Sequence, residues 1–366
     1  MRLESALLRT YRGKPQVRYG TVVDVQPGIC TVQVAGGPIP VIYMKGAAPN
    51  VGDFVSVQRQ GVVSYLLNQP SGAVWVGDNV LNGIWRVPTS GQDPVFYAVP
   101  GAAIYGVVEG PDQAIWACSG GGGAAAYVWR MVSSGLYIGT SASVQLGSSL
   151  ATFPVSICVG SDGNLWVADN NGFVWKVTPD LAVAASYALA GSSPNTICAG
   201  PGGNLWIASG TPNTGAWSVT PSGTSTFYPI PDSVPTGITE GPDGRLWLSD
   251  NTYHVVWAMA PTGNVESYLL PNSETTSICV GPDKRLWASD NFLGVIWAVT
   301  TTGDATPYSP VYGAASQPVA VATASDARVW AADLYGPSVD AMTAAGVPSS
   351  YLLASTAHPS SICSGP

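Results

Sequence analysis

The chain has 366 residues, enough for a sizeable core and about two domains; only 10% of them are charged, while glycine (43) and proline (30) are abundant. Its formal net charge of −8 and pI near 4.6 argue against nucleic acid or an anionic membrane as partner. No apolar run approaches the roughly 20 residues of a membrane span, and the start has neither an uninterrupted apolar stretch nor a small-residue cleavage site, so we expect no membrane insertion and no signal peptide.

The first 69 residues divide into a short segment and a small all-β unit. Residues 1–16 include a predicted short helix with Leu3, Ala6 and Leu7 on one side, which would be marginal alone and is expected to dock on a partner. Residues 17–69 then contain five strand-like runs separated by turns: VRYGTVVDV, ICTVQVA, PIPVIYMK, GDFVSVQRQ and VVSYLLN. Five short strands without a helical pattern favour a small barrel.

This small unit resembles the OB-fold domain that opens many phage tail-tip and baseplate proteins. The resemblance rests on GTVVDVQPG, TVQVAGGPIPV and VGDFVSVQRQ and covers this unit alone. It implies that the barrel serves assembly, with other phage tail proteins bound through residues 1–70. Other OB barrels bind oligonucleotides or sugars, but this sequence lacks the basic groove and stacking aromatics that such binding needs.

A pattern of short strands and turns recurs from residue 71 onward, most clearly in GITEGPDGRLWLSDNTYHVVWAMAPTG at 237–263. Tryptophans mark each copy in a first register, 40 to 50 residues apart: Trp75, Trp116, Trp166, Trp206, Trp247, Trp287 and Trp330. A second register follows 9 to 13 residues later: Trp85, Trp129, Trp175, Trp217, Trp257 and Trp297. In the last copy Asp340 stands near that second place. Seven such copies predict a propeller or a solenoid.

The two ends of the repeat region favour a closed ring. The sequence finishes on SICSGP (361–366), which is the opening of a copy, and the first copy begins at SGAVW (71–75) without that opening. Pairing the last strand into the first sheet would remove an exposed edge. The predicted fold class is therefore all-β, with an OB-like barrel at 17–69 and a seven-bladed β-propeller at 71–366 that is closed by the strand at about 359–366.

The repeats resemble the virginiamycin B lyase (streptogramin lyase) family through G-P-D-G-x-L-W-x-x-D-N and P-x-G. The resemblance implies that lyases of this kind use histidines, a glutamate and a magnesium ion on one face of the ring, with the histidine just before the first strand's isoleucine. At those places this chain has Thr236, Ser277 and Ser361, and its two histidines, His254 and His358, lie elsewhere. We therefore predict no catalytic residues, no metal and no cofactor.

Two other recurring residue types indicate structure rather than chemistry. Four of the six cysteines share one register, where other copies have Val, Thr or Ala, so we expect small, buried, free thiols. Asp-Asn pairs follow the first-register tryptophan by three residues in four copies, beginning at Asp78, Asp169, Asp250 and Asp290. Their oxygens would suit calcium, but each pair belongs to a different blade, so a turn-stabilising role is favoured.

The loops between strands form two sets. The turns between first and second strands and between third and fourth strands hardly vary among copies, whereas the second-to-third and fourth-to-first loops vary freely. In a propeller the variable loops share one face, and binding residues concentrate on such loops. The predicted binding residues are Asp250, Asn251, Tyr253, His254, Asn291, Phe292, Asp333, Leu334 and Tyr335. Their polar and aromatic mixture suits a carbohydrate, although for any one of them an ordinary exposed loop role is the alternative.

These features favour a non-enzymatic phage minor tail (tail-tip) protein. In that hypothesis the barrel anchors the chain in the tail as part of a homo-oligomer, the propeller binds a host cell-surface glycan or a partner, and the protein is assembled in the host cytoplasm and located in the virion. One alternative is a lyase acting on a cyclic peptide or a polysaccharide. A further alternative is a structural tail spacer that binds only sister subunits.

Overall fold

The computed structural model describes residues 16–26, 29–34, 37–42, 54–60, 63–68, 72–99, 103–121, 124–133, 138–147, 152–311 and 316–365. The chain divides into two compact units, Met1–Gly72 together with Pro366, and Ala73–Gly365. The helix predicted within residues 1–16 lies outside the described residues. In the part of the chain that is described, no helix has the length and apolarity needed to cross a membrane.

The first unit contains five strands that form a closed barrel in the order β1-β2-β3-β5-β4. The strands are β1 (Gln16–Gln26), β2 (Ile29–Val34), β3 (Gly37–Ile42), β4 (Phe54–Gln60) and β5 (Val63–Asn68). The long strand β1 pairs antiparallel with both β2 and β4, and a register shift between Val22 and Asp24 interrupts its pairing with β2. Because such a shift bends a strand, β1 can belong to both sides of a small closed sheet. Strands β3 and β5 pair in parallel.

The second unit contains, among its described residues, seven four-stranded sheets, or blades. From first to fourth strand, blades 1 to 4 are β33 (Pro359–Gly365), β6 (Ala73–Asp78), β7 (Gly83–Pro88), β8 (Val95–Ala98); β9 (Ile104–Glu109), β10 (Ile115–Gly121), β11 (Ala124–Ser133), β12 (Ile138–Gln145); β13 (Pro154–Val159), β14 (Leu165–Asp169), β15 (Phe173–Val177), β16 (Val183–Ala188); and β17 (Ser193–Ala199), β18 (Leu205–Gly210), β19 (Gly215–Val219), β20 (Ser225–Pro229). A short 3-10 turn, Pro201–Gly203, precedes β18.

Blades 5 to 7 repeat the same arrangement, with β21 (Pro235–Glu240), β22 (Leu246–Asp250), β23 (Val255–Met259), β24 (Val265–Leu269); β25 (Thr275–Val280), β26 (Leu286–Asp290), β27 (Val295–Val299), β28 (Ala305–Tyr308); and β29 (Pro318–Thr323), β30 (Val329–Asp333), β31 (Ser338–Met342), β32 (Pro348–Leu352). The first strand of each blade contacts the first strands of both neighbouring blades, including β29 with β33 and β33 with β9. The unit is therefore a seven-bladed β-propeller, in which the first strands surround the axis.

The core lies between the blades, because each blade packs on a neighbour through both of its faces. The second strands of blades 3, 5, 6 and 7 are buried along their whole length. The seven first-register tryptophans are at most 2% exposed. In blades 3 to 7 each of them lies against a fourth-strand tyrosine, as Trp247 does with Tyr268 and Trp287 with Tyr308. Burying a tryptophan removes about 150–250 Å² from water, so these rings are a major source of packing energy.

The similarity of the first-to-second turns among the repeats has a structural cause in blades 5, 6 and 7. There an arginine lies over the first-register tryptophan and a fourth-strand tyrosine, and it forms an ion pair with the aspartate two residues before it. Its Nη2 donates to a carbonyl oxygen of the next blade: Arg245 to Thr301 at 2.7 Å, Arg285 to Ala344 at 2.5 Å and Arg328 to Thr89 at 3.0 Å. The last of these joins blade 7 to blade 1.

Candidate functional site

The two variable sets of loops meet on one face of the propeller, which we call the variable face. The aspartate that ends a second strand accepts a hydrogen bond from the loop that connects the previous blade. The backbone N–H of Val234 donates to Asp250 at 2.8 Å, and that of Glu274 donates to Asp290 at 3.2 Å. The N–H of His358 donates to Asp78 at 3.1 Å in the same way. A second-to-third loop and a fourth-to-first loop are thus held by one carboxylate.

The same carboxylate shapes the second-to-third loop. In blade 5, Asp250 Oδ1 accepts the N–H groups of Thr252 at 2.9 Å and Tyr253 at 3.0 Å, while Oδ2 accepts the indole N–H of Trp257 at 3.0 Å. Asp250 is 0% exposed, and the equivalent Asp333 is 1% exposed. Because each is buried and its two oxygens already accept hydrogen bonds, both of these predicted binding residues position their loops from beneath the surface.

What the turns present to solvent is a series of large apolar side chains. Tyr253 is 44% exposed, Phe292 65%, Tyr335 65% and Val80 55%. They lie in the second-to-third loops of the consecutive blades 5, 6, 7 and 1, where Phe292, Tyr335 and Val80 follow the buried aspartate by two residues and Tyr253 follows it by three. We call these four residues the apolar arc. Because each backbone N–H donates to the aspartate of its own turn, the side chains project from rigid loops.

Of the predicted site residues, Tyr253, Phe292 and Tyr335 thus lie on the apolar arc. Sequence reasoning missed Val80, although its loop, DNVLNG, shows the same Asp-Asn start as DNTYHV and DNFLGV. A single exposed valine is common on protein surfaces, so its residue type alone does not indicate a binding site. The register that Val80 shares with Phe292 and Tyr335, two residues after the aspartate, is the signal that could have identified it.

The remaining predicted residues support the loops around the arc. Asn251, Asn291 and Leu334 are half-buried, and the Leu334 N–H donates to Gln317 O at 3.0 Å. His254 has a φ of 58°, at a place where Gly172 and Gly294 also have positive φ. Its Nδ1 lies 2.5 Å from Ser273 O, and since a carbonyl oxygen only accepts, Nδ1 carries the hydrogen. His254 therefore joins the loop of blade 5 to the loop that leads into blade 6.

A cavity of about 330 Å³ lies at the axis, lined by the first strands of all seven blades. Residues that project from a register shift in these strands bridge neighbouring blades. Their side chains donate to a carbonyl of the next blade: Asn195 to Pro235 at 2.8 Å, Thr236 to Thr275 at 2.8 Å, Thr276 to Val319 at 3.1 Å and Ser360 to Ile104 at 2.7 Å. These donors serve the closure of the ring, since each is engaged by the neighbouring blade.

The places at which the family resemblance would put histidines carry hydroxyl groups that line this cavity. Ser277 Oγ accepts the N–H of Val321 at 3.3 Å, and the Ser361 hydroxyl has no hydrogen-bond partner among the described residues. The described lining contains no carboxylate, imidazole or amine. His254 and His358 lie in variable-face loops outside it. Such a lining can accept and donate hydrogen bonds, but it offers no group that would act as a general base near neutral pH. Within the described residues, no three His, Cys, Asp or Glu side chains are grouped to hold a metal ion.

Comparisons with known proteins give the family. The model of the virginiamycin B lyase family matches residues 141–366. No curated protein sequence matches the chain significantly. Among solved structures, selenomethionine-substituted virginiamycin B lyase from Staphylococcus aureus is similar, with a TM-score of 0.63 and 20% identity over 69% of this chain and 84% of that one.

Two further structures show the same architecture. A catalytically inactive virginiamycin B lyase from Staphylococcus aureus with quinupristin has a TM-score of 0.64 and 19% identity over 70% of this chain and 87% of that one. A putative 6-phosphogluconolactonase from Bacteroides fragilis has a TM-score of 0.62 and 13% identity over 81% of this chain and 98% of that one. At these identities the structural likeness establishes the fold alone, whereas the family model covers more than half of the sequence. The chain belongs to the virginiamycin B lyase family.

Proposed function

We propose that this protein is a non-catalytic binding protein, a phage minor tail protein at the tail tip, whose propeller binds a host-surface carbohydrate or a partner through the variable face. The observation that carries the binding role is the apolar arc: four consecutive blades expose Val80, Tyr253, Phe292 and Tyr335 on turns fixed by buried aspartates. Exposed rings on rigid loops offer contact area at a small cost in conformational entropy. The hydroxyl-lined cavity supports the absence of catalysis.

The test of binding uses the full chain and alanine variants at the three rings. Tyr253→Ala, Phe292→Ala and Tyr335→Ala should each weaken binding to bacterial cells or purified cell envelopes by about fivefold to tenfold, because one well-placed aromatic contact contributes about 1–1.5 kcal/mol. Leu269→Ala and Leu352→Ala are matched controls, since these leucines are 67% and 61% exposed on fourth strands. Equal losses in all five variants would contradict a binding site on the arc.

The barrel is proposed to be OB-like and to anchor the chain in the tail. The closed strand order β1-β2-β3-β5-β4 supports the OB-like topology, and the pairing of β33 with β6 supports closure of the ring by the last strand. Light-scattering mass of the full chain should show a defined homo-oligomer that is lost in residues 71–366 alone. If both proteins are monomers at every concentration, the barrel does not assemble the particle by itself, and a separate tail scaffold would have to be found.

Family membership favours a second candidate, a streptogramin lyase-like or polysaccharide-acting enzyme. Quinupristin is the probe, because a similar solved structure holds it. Incubation with quinupristin and MgCl₂, followed by mass spectrometry, should show no conversion if the hydroxyl-lined cavity lacks a base. Conversion that depends on enzyme concentration and magnesium would overturn the non-catalytic proposal. A third candidate, a tail spacer, predicts that the three alanine variants impair assembly and leave cell binding intact.

A further inference from the structure

Blade 7 has an unusual buried acid. In blades 1, 3, 5 and 6 the indole N–H of the second-register tryptophan donates to the aspartate that ends the second strand, as Trp297 does to Asp290 at 2.9 Å, and in blade 2 that of Trp129 donates to Ser119. In blade 7 Asp340 stands at that register and is 1% exposed. Asp333 occupies the place of the aspartate that accepts an indole N–H in other blades, but here its carboxylate accepts the Ser316 hydroxyl at 2.6 Å. At the position where other blades have a tryptophan hydrogen-bond donor, blade 7 thus has a second acid.

Asp340 and Asp333 lie on the same face of the sheet. Asp340 is opposite Ala331 in the strand pairing, and Ala331 and Asp333 are two residues apart on β30, so their side chains leave the sheet on one side. Ser338 lies two residues before Asp340 on β31 and shares that side. Neither Asp340 Oδ1 nor the Ser338 hydroxyl has a hydrogen-bond partner among the described residues. The pair is therefore a buried, incompletely satisfied acidic cluster.

The two acids differ in what holds their charge. Asp333 Oδ1 accepts the N–H groups of Tyr335 at 3.2 Å and Gly336 at 2.8 Å, in addition to the Ser316 hydroxyl on Oδ2, whereas Asp340 Oδ1 has no such partner among the described residues. Burial is the main cause that raises the pKa of Asp340 to about 6; the neighbouring Ser350 hydroxyl opposes this shift and the Asp333 carboxylate adds to it. Asp340 therefore carries a proton below about pH 6 and is charged above it.

Few other charges face this cluster. Its sheet face packs on blade 6, where the cluster of Ile296, Ala298 and Trp287 is apolar. Two titratable groups of that neighbouring blade, Cys279 and Tyr308, pack against the apolar cluster. Arg285 is engaged with Asp283 and donates to the Ala344 carbonyl at the other end of the sheet. Beyond the loop, the His358 ring lies edge-on to Tyr335.

We propose that Asp340 is a pH-sensitive switch in blade 7, which holds the loop of Tyr335 firmly when it is protonated and loosens that loop when it ionises. When Asp340 is charged, it repels Asp333, the residue on which the Tyr335 and Gly336 N–H groups depend. This switch would regulate one member of the apolar arc, but it concerns the stability of the loop and does not rest on what the arc binds.

The sign of the effect follows from linkage. A carboxyl whose pKa is about 6 in the folded blade and about 4 in the open state favours the closed state in its protonated form. Loop stability is therefore greatest below about pH 4, decreases between about pH 4 and 6, and is low and constant above that range. The equilibrium constant for opening should rise about a hundredfold across this range if opening exposes Asp340 fully.

Amide hydrogen exchange on the full chain between pH 4 and 7.5, corrected for intrinsic exchange rates, tests this proposal. Blade 6 provides an internal control, because Phe292 and Leu293 donate to Asp290 as Tyr335 and Gly336 donate to Asp333, but with Trp297 in place of the second acid. We expect protection to fall with pH at Tyr335 and Gly336 and to stay level at Phe292 and Leu293. Parallel profiles in the two blades would overturn the proposal.

Two variants separate the proton on Asp340 from other causes. Asp340→Asn keeps the shape and cannot ionise, so it should abolish the pH dependence; Asp340→Trp, which restores the residue of other blades, should do the same if the asparagine variant does not fold. Persistence of the pH dependence in both variants would assign it to another group such as His358 and would refute the switch. Protection at pH 7 that appears only on addition of CaCl₂ would show that a cation, and not a proton, holds the pair.

Discussion

At the scale of single residues, a buried aspartate ends the second strand in blades 1, 3, 5, 6 and 7 and fixes the exposed loop that follows it. Asp290 is 0% exposed and accepts the N–H groups of Phe292 and Leu293 as well as the indole of Trp297. The Asp-Asn pairs in the sequence suggested either calcium ligands or turn residues. The hydrogen bonds assign the aspartates to turns, because donors already surround each carboxylate.

Replacing one such aspartate should destabilise the propeller. Asp290→Ala removes the acceptor for three loop N–H groups, those of Glu274, Phe292 and Leu293, and leaves the Trp297 indole N–H buried without a partner, which we expect to cost about 2–4 kcal/mol of unfolding free energy. The measurement is the urea midpoint by tryptophan fluorescence. Asp304→Ala is the matched control, since Asp304 is exposed. A midpoint shift no larger than that of the control would show that the turn forms without the carboxylate.

Of the four cysteines at the shared register, which predicted small buried thiols, Cys158 is buried, whereas Cys198, Cys279 and Cys363 are half-buried. The five described cysteines are free thiols. Burial raises the pKa of Cys118, Cys198 and Cys279 to about 12 and also raises those of Cys158 and Cys363, so the reactive thiolate is suppressed.

These thiols should therefore be unreactive in the folded protein. In a Cys30→Ser variant, which removes the one cysteine outside the described side chains, Ellman's reagent at pH 8 should detect no thiol until urea is added and five thiols afterwards. In the folded wild-type chain, any thiol that reacts with the reagent should then be that of Cys30. Rapid reaction of several thiols in the native variant would mean that the first strands open readily or that their packing differs.

At the scale of elements, the arginines of the first-to-second turns join one blade to the next. Arg285 lies over Trp287 at 5.0 Å and Tyr308 at 5.7 Å from the ring centroids, and it reaches blade 7 through Ala344. The sequence showed only that these turns are uniform. The arginines in these turns donate to carbonyl groups more than 50 residues away in the sequence, so no local pattern shows their role.

Removing one arginine should weaken a single junction. Arg285→Ala should lower the unfolding free energy by about 1–2 kcal/mol, a modest value because the side chain is 22% exposed and its ion pair is screened by water. Arg285→Lys should recover part of the charge interaction but lose the planar stacking and the second donor. Lys284→Gln removes the same charge from an exposed neighbour and should be nearly neutral. Equal effects of the alanine and control variants would show that net charge, and not the junction, matters.

At the scale of the whole molecule, the pairing of β33 with β6 is the junction that we propose closes the ring. Six residue pairs join the two strands, from Pro359 with Asp78 to Gly365 with Ala73. On the opposite rim Arg328 donates to Thr89, and one apolar cluster spans blades 7 and 1. The junction between the two ends is thus built like the junctions between blades that are adjacent in sequence.

Deletion of residues 359–366 should open this junction. Blade 1 would lose its first strand and expose an edge beside the axis, so we expect loss of the cooperative unfolding transition and concentration-dependent association. Deletion of Pro366 alone is the control, since it leaves all six residue pairs in place. Circular dichroism melting and light scattering distinguish the two. A truncated chain that remains monomeric and melts cooperatively would show that the other six blades hold the ring without the strand.

The amino-acid sequence by itself determined the seven blades, because the tryptophan registers and the Gly and Asp turns that define a blade lie within about 40 residues of one another. Burial of the loop residues was decided only by the tertiary structure. Asp250 and Tyr253 are three residues apart in one variable loop, yet one is enclosed by a neighbouring loop and the other faces solvent. The burial of Asp340 against the apolar cluster of blade 6 likewise depends on blades that meet only when the ring forms. Exposure and charge partners are properties of packed neighbours, which sequence periodicity does not encode.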